Sequence, residues 1–272
     1  MRVTREDVVR LIQLQKDAWE SLDNLLSSIS SADWDAPTDC PGWSIKDCLS
    51  HIVGIEHRLL GRNVPKHVPS HVSHVRNDLG FRNEVDVDLR RDVDPRVILE
   101  EFSEIQAERL ATMLSQEDYS SIMNSPLGTQ SPADLISIRI FDCWVHEQDI
   151  RRAVGRPGNL SGAIASHSFG RIDNVMPYIV GKKVGATEGQ SVKFKVIGCS
   201  PKSFTIEVNG GRAGFSTKVS NPTASLQMDS EIYLTLACGR IDPEETLFSG
   251  SVDIKGQESL GRRIVNHMNF MV

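Results

Sequence analysis

Residues Phe141 to Pro157 read FDCWVHEQDIRRAVGRP, and this stretch combines the periodicity of a buried helix with two side chains that bind metals. Asp142 and His146 are four residues apart, so in a helix they lie on one face, one turn apart. Gly155 is expected to end the helix in the left-handed conformation, and Pro157 blocks continuation. The stretch therefore predicts a helix that offers a carboxylate and an imidazole to one divalent metal.

An internal ion pair is the alternative explanation for Asp142. Residues 135, 138, 142, 145, 146, 149 and 153 form one stripe of the helix, which places Asp142 at a core-facing position. A buried carboxylate without a partner is costly in free energy. Arg139 or Arg152 on the same helix could neutralise it instead of a metal, and the residues alone leave both explanations open.

A third ligand candidate lies far upstream, in the segment WSIKDCLSH at residues 43–51. Ser44 and Asp47 form a capping pattern for a second amphipathic helix, which carries His51 at the margin of its apolar stripe. Two histidines and one carboxylate from two helices would leave positions on the metal open, which is typical of a catalytic site. A single histidine beside an apolar face is more often a core residue with satisfied hydrogen bonds.

Two other features compete for a role in metal binding. His67, His71 and His74 lie in HVPSHVSH, where prolines interrupt any helix and no carboxylate is adjacent, so we interpret this segment as a solvated loop. Cys40 lies in the loop before the His51 helix and could act as a ligand or nucleophile. A structural role is the more common one for a free cysteine.

Composition excludes several classes of protein. The chain has 272 residues, a formal net charge of -6 and 39% hydrophobic residues, so we expect a folded protein without the basic surface that nucleic acid requires. The five cysteines include no CxxC pair, which indicates a reducing compartment. The first residues are charged, and no stretch approaches the ~18 apolar residues of a membrane span. We therefore expect a cytoplasmic protein with small-molecule partners, and its oligomeric state is unknown.

Helical periodicity with capping patterns predicts four helices in the first half of the chain, beginning near Thr4, Ser44, Asp94 and Ser131. Residues 61–92 lose this periodicity and are expected to form a long irregular excursion, ordered or mobile. After Pro157 the pattern predicts a helix over 163–180, strands over 192–197, 204–208, 214–219, 224–228 and 252–255, and helices over 230–238 and 259–268. The chain is thus expected to have an α-helical domain at 1–157 and a smaller α+β domain at 158–272.

Four motifs resemble the mycothiol-dependent maleylpyruvate isomerase family: WDAPTDCPGW at 34–43, DCLSH at 47–51, FDCWVHEQDIR at 141–151 and GRIDP at 239–243. The resemblance implies a DinB-like four-helix bundle followed by a sterol-carrier-like α+β domain. It also implies a divalent metal, usually zinc, held by His51, Asp142 and His146. The isomerase of that family is expected to carry Glu where this chain has Asp142, and the shorter arm can still reach a metal.

The activity that the resemblance implies is that of a zinc-dependent isomerase or S-transferase, in which mycothiol or a similar thiol attacks a small electrophile. An anionic substrate needs a fixed cation, and the family layout suggests Arg240 in this catalytic role. Two alternatives remain. One is a carrier of an apolar ligand with a structural metal, and the other is a metal-dependent hydrolase of thiol conjugates.

Overall fold

The computed structural model of the chain describes residues 4–63, 65–125 and 127–271, and these form two compact units. The first unit extends to Gly158, and the second is Asn159–Met271. The prediction of an α-rich first part followed by a sheet-containing second part is confirmed. Within the described ranges, no helix combines the length and apolar character needed to cross a bilayer.

Helices dominate the first unit, whose described elements also include a two-stranded hairpin. The helices are α1 (Arg5–Leu26), α2 (Ile45–Leu59), α3 (Asp78–Asp88), α4 (Pro95–Ser115) and α5 (Pro132–Ala153), and the hairpin consists of β1 (Met123–Ser125) and β2 (Gly128–Gln130). Helix α1 packs against α4 and α5, and α2 packs against α3, α4 and α5. Fully buried side chains such as Leu22, Ile52, Phe102 and Trp144 fill the space between these helices. This packing places α2 and α5, the two helices with predicted ligands, side by side.

The predicted helix starts are confirmed by their caps. The side chains of Thr4, Ser44, Asp94 and Ser131 each accept a hydrogen bond from a backbone N–H of the first turn. Such a cap stabilises a helix by about 1 kcal/mol. Gly155 has a φ of 63°, as expected for the residue that ends α5.

The excursion at residues 61–92 is not irregular throughout, because α3 occupies Asp78–Asp88. Its buried face includes Asn83, Glu84 and Asp86, so the apolar periodicity that normally reveals a helix is missing. These polar side chains are tolerated in the interior because they have partners. Arg58 of α2, for example, pairs with Asp86 at 2.8 Å. Val64 of the excursion lies outside the described residues.

Helices α2 and α3 approach each other closely at Gly54. A Cβ atom added there would lie 2.3 Å from Cβ and 2.4 Å from Cγ of Asp86, closer than real atoms pack. Because Asp86 is buried and paired with Arg58, its side chain has little room to move away.

We expect the substitution Gly54→Ala to lower the free energy of unfolding by about 1–2 kcal/mol, because the overlap outweighs the better helix propensity of alanine. Urea titration followed by circular dichroism measures this difference. Gly80→Ala in α3 is the matched control, since its Cβ would meet no heavy atom closer than 3.6 Å. Equal losses of unfolding free energy in the two variants would show that the close approach at Gly54 does not affect stability.

A five-stranded sheet with helices on one face forms the second unit. Its strands are β3 (Ser191–Ile197), β4 (Lys202–Asn209), β5 (Arg212–Phe215), β6 (Ala224–Asp229) and β7 (Val252–Gly256), in the order β5-β4-β3-β6-β7. Only β3 and β6 are parallel among these paired strands. The helices are α6 (Gly162–Tyr178), continued by a π-helical turn at Ile179–Lys183, then α7 (Ser230–Ala237), α8 (Pro243–Phe248) and α9 (Glu258–His267). Val192, Phe194 and Val196 of the central strand are buried on the covered face.

Two details of the second unit differ from the sequence prediction. The strand predicted at 214–219 is instead Arg212–Phe215, because Gly210 and Gly211 both adopt a positive φ and start the return strand directly after Asn209. Helix α8 was not predicted. It has only six residues and, among them, only Thr246 is buried, so it has no apolar stripe to recognise.

Candidate metal centre

The three predicted ligands lie together inside the first unit. His51 comes from α2, and Asp142 and His146 come from α5. One ligand atom of each lies within 4.8 Å of those of the other two. Nε2 of His51 is 3.2 Å from Oδ2 of Asp142, and Nε2 of His146 is 3.7 Å from Oδ1. Each carboxylate oxygen thus has an imidazole beside it.

Burial and charge set the protonation of this cluster. Both histidines are 3% exposed, and the side chain of Asp142 is 15% exposed. Burial lowers the pKa of His51 to about 4, although the neighbouring Asp142 opposes this shift. Burial alone would raise the pKa of Asp142, but Arg139 and His51 hold it well below its usual value. At neutral pH His51 is therefore uncharged and Asp142 ionised, the forms that bind a metal.

The indole of Trp43 packs against both imidazoles. Its ring centroid is 4.9 Å from that of His51 and 5.7 Å from that of His146. Its Nε1 donates a hydrogen bond of 2.9 Å to Glu84 of α3, which also pairs with His74 at 2.8 Å. Through these contacts, the excursion at 61–92 is joined to the residues around the cluster.

Asp142 also takes part in the internal ion pair that the sequence left open. Nη1 of Arg139 donates to Oδ2 of Asp142, and Nε of Arg139 donates to Glu56 at 2.8 Å. Glu56 in turn accepts a 2.8 Å hydrogen bond from Arg109 of α4. Arg152, the other candidate partner, pairs instead with Asp149 at 2.7 Å. Asp142 thus combines an arginine partner with two neighbouring imidazoles.

The donor set fits a divalent metal. Two imidazole nitrogens and one carboxylate form the three-ligand set of catalytic zinc sites, in which a further position stays open. Oδ2 of Asp149 lies 3.2 Å from Nδ1 of His146, so an ionised carboxylate flanks the ring nitrogen that faces away from Asp142.

The rival histidines have separate partners. His67 pairs with Asp88 at 2.6 Å, His74 with Glu84, and Nδ1 of His71 is 2.8 Å from the hydroxyl of Ser70. The expectation that no carboxylate accompanies this segment is wrong, because α3 supplies two. Across the described part of the chain, none of the three histidines belongs to a group of three metal donors.

Cys40 lies beside the cluster and is buried. Its sulfur forms a second group with His146 and Asp149, again with donor atoms within 4.8 Å of one another. The two groups share His146, and Asp149 already pairs with Arg152. The thiol thus lies near His146 and Asp149, but it does not belong to the donor group of His51, Asp142 and His146.

Arg240, the predicted catalytic cation, belongs to the second unit. It lies between α7 and α8, directly after Gly239, which has a φ of 67°. Nη1 of Arg240 donates a 3.0 Å hydrogen bond to the carbonyl of Cys238. A role of Arg240 in catalysis stays a prediction.

Sequence reasoning missed Glu56 and Arg109. Arg109 continues the apolar stripe of Phe102 and Ile105 at helical spacing, and is buried like them. A charged residue inside such a stripe is the available signal that an oppositely charged partner lies opposite.

Comparisons with known proteins identify the family of the first half of the chain. The family model described as the mycothiol maleylpyruvate isomerase N-terminal domain matches residues 16–151, half of the chain. A search of the curated proteins found no match.

Solved structures show a similar fold. The crystal structure of the mycothiol-dependent maleylpyruvate isomerase matches with a TM-score of 0.56 and 15% identity, covering 91% of this chain and 92% of that chain. A mutant of that enzyme with a histidine replaced by alanine matches with the same TM-score and coverage and 14% identity. The sterol carrier protein domain 2 of Helicoverpa armigera covers 35% of this chain and 80% of that domain at 16% identity, but its TM-score of 0.30 is too low to carry an argument. By the family match, this chain belongs to the mycothiol maleylpyruvate isomerase family.

Proposed function

We propose that this protein is a metal- and thiol-dependent enzyme. His51, Asp142 and His146 hold a divalent metal, zinc by preference, and a low-molecular-weight thiol of the mycothiol type attacks a small electrophile. The reaction is an isomerisation or a thiol transfer. The observation that carries the proposal is the convergence of three metal donors within 4.8 Å in a member of this family.

We further propose that the two domains have different roles, one in binding the metal and the other in binding the substrate. Residues 1–157 form the DinB-like four-helix bundle that holds the metal, and residues 158–272 form the sterol-carrier-like domain. In this proposal Arg240 of the second domain supplies a cation for an anionic substrate, since guanidinium groups bind carboxylates with paired hydrogen bonds.

A bound divalent metal supplies acidity to this chemistry. A free thiol has a pKa of about 8.5 and is mostly protonated at neutral pH, whereas a thiol that coordinates a metal loses its proton. The protein's part is to leave a position open for that thiol, which three protein ligands do.

The surrounding residues hold the ligands in place. Asp149 lies 3.2 Å from Nδ1 of His146, on the side of the ring away from Asp142. Trp43 covers the faces of both imidazoles and reduces their contact with water. Arg139 neutralises one oxygen of Asp142.

Cobalt substitution tests the proposal. We expect the protein to bind about one metal per chain, and the visible spectrum of the cobalt form to shift when a low-molecular-weight thiol is added, because an open position accepts the sulfur. A Cys40→Ser variant is the matched control. It should show the same shift, since Cys40 does not belong to the donor group of His51, Asp142 and His146.

Three other outcomes separate the alternatives. Absence of metal from the wild type would refute the proposal. A cobalt form whose visible spectrum does not change when thiol is added indicates a closed structural site and favours the carrier protein. Turnover of a thiol conjugate without added thiol favours the hydrolase.

A further inference from the structure

We propose that Arg139 is a positioning residue for the metal site. It holds Oδ2 of Asp142, so that Oδ1, the oxygen beside Nε2 of His146, remains available to the metal. This inference rests on the proposed function, because it assigns a role to a neighbour of the ligands named there.

The contacts of Arg139 support this assignment. Its side chain is 2% exposed and lies one turn before Asp142 on α5. Nη1 donates to Asp142 and Nε donates to Glu56, so two carboxylates fix one guanidinium from different sides. Because the guanidinium is planar and rigid, fixing it at Glu56 also fixes the direction of the bond to Asp142.

Glu56 is itself held from two sides. Oε1 accepts from Arg139 and Oε2 accepts from Arg109, both at 2.8 Å. The resulting series, Arg109–Glu56–Arg139–Asp142, joins α4, α2 and α5 and is buried along its length apart from the partly exposed Asp142. Its two cations and two anions compensate each other, so the series is neutral without a metal.

The short arm of Asp142 makes positioning important. Oδ2 also lies 3.2 Å from His51, so without Arg139 the carboxylate could turn either oxygen toward either imidazole. The bond from Arg139 removes that freedom. Groups that orient a ligand in this way affect metal affinity by about 10- to 100-fold.

Charge and position predict opposite effects for a substitution at this residue. Removing the positive charge of Arg139 would by itself favour the binding of a dication. Removing an orienting partner disfavours it. The sign of the change in affinity therefore distinguishes the two roles.

The experiment measures zinc affinity by competition with a chelator in wild type, Arg139→Gln and Arg139→Lys. We expect both variants to bind zinc about 10- to 100-fold more weakly, because neither side chain reproduces the rigid, planar set of donors that arginine directs at Glu56 and Asp142. Because lysine keeps the positive charge, the change in zinc affinity of Arg139→Lys reports only the loss of positioning of the Asp142 carboxylate. The visible spectrum of the cobalt forms should change in both, which a purely structural role would not produce.

Arg151→Gln is the matched control. Arg151 lies on the same helix and pairs with Glu147 at 2.7 Å, so its loss should leave zinc affinity unchanged. An affinity equal to or tighter than that of wild type in either folded Arg139 variant would overturn the inference. If the Arg139→Gln variant does not fold, the zinc affinity of the Arg139→Lys variant tests the inference. Failure of the wild type to bind zinc would refute the proposed function instead, so the two failures are distinguishable.

Discussion

Replacing His146 by alanine is expected to remove the bound metal while leaving the helical content of the protein close to that of the wild type. The imidazole is one of three donors, and the remaining pair, His51 and Asp142, is too small a set to retain zinc. Helix α5 should persist, because it packs along α1 and α2 through its other buried side chains. Elemental analysis of untagged, chelator-free protein measures the metal, and far-ultraviolet circular dichroism measures the helix content.

His57→Ala is the matched control for this substitution. His57 lies on α2 in the same unit and pairs with the carboxylate of Glu101 at 2.5 Å, so it shares the chemistry of His146 but contacts none of the proposed ligands. We expect this variant to keep its metal, and Asp142→Ala to lose it as His146→Ala does. Full metal content in His146→Ala would exclude the assigned ligand set.

The substitution Glu56→Ala is expected to lower the free energy of unfolding of the first unit by about 3–5 kcal/mol. Glu56 is fully buried and accepts hydrogen bonds from both Arg109 and Arg139. Without it, Arg109 loses the carboxylate that it pairs with, whereas Arg139 keeps Asp142 and a weak contact to the sulfur of Cys143. A buried charge without compensation accounts for most of the expected loss.

Chemical denaturation followed by circular dichroism measures this effect, with Glu101→Ala as the control. Glu101 also pairs with a cation, Arg90, but its side chain is 31% exposed. Its removal should cost clearly less than that of Glu56, because solvent screens the charge of a partly exposed carboxylate. Similar losses in the two variants would mean that burial does not strengthen the interactions of Glu56.

The sequence predicted what depends on local spacing. The caps at Thr4, Ser44, Asp94 and Ser131 need only residues within one turn, and the Asp142–His146 pair needs only a helix. Both features can be predicted without knowing which helices pack against each other.

Contacts between distant segments were not predictable in the same way. Glu56 is 53 residues from Arg109 and 83 from Arg139, and periodicity gives the face of a helix but not its partner. Helix α3 was not predicted for a related reason. Its buried face is polar, which is possible because Arg58 of another helix neutralises Asp86. His51 was a ligand candidate from its own helix, and the family resemblance strengthened that prediction, since no local pattern connects His51 with α5.

The position of Trp43 has an optical consequence. Its indole is in van der Waals range of two rings that share the proposed metal, and excited indoles lose energy to nearby ions with absorption in the visible range. The emission of Trp43 is therefore an intrinsic reporter of loading with cobalt, and a Trp43→Phe chain supplies the background from Trp19, Trp34 and Trp144. The rate at which the site fills can thus be followed by stopped-flow fluorescence without attaching a dye.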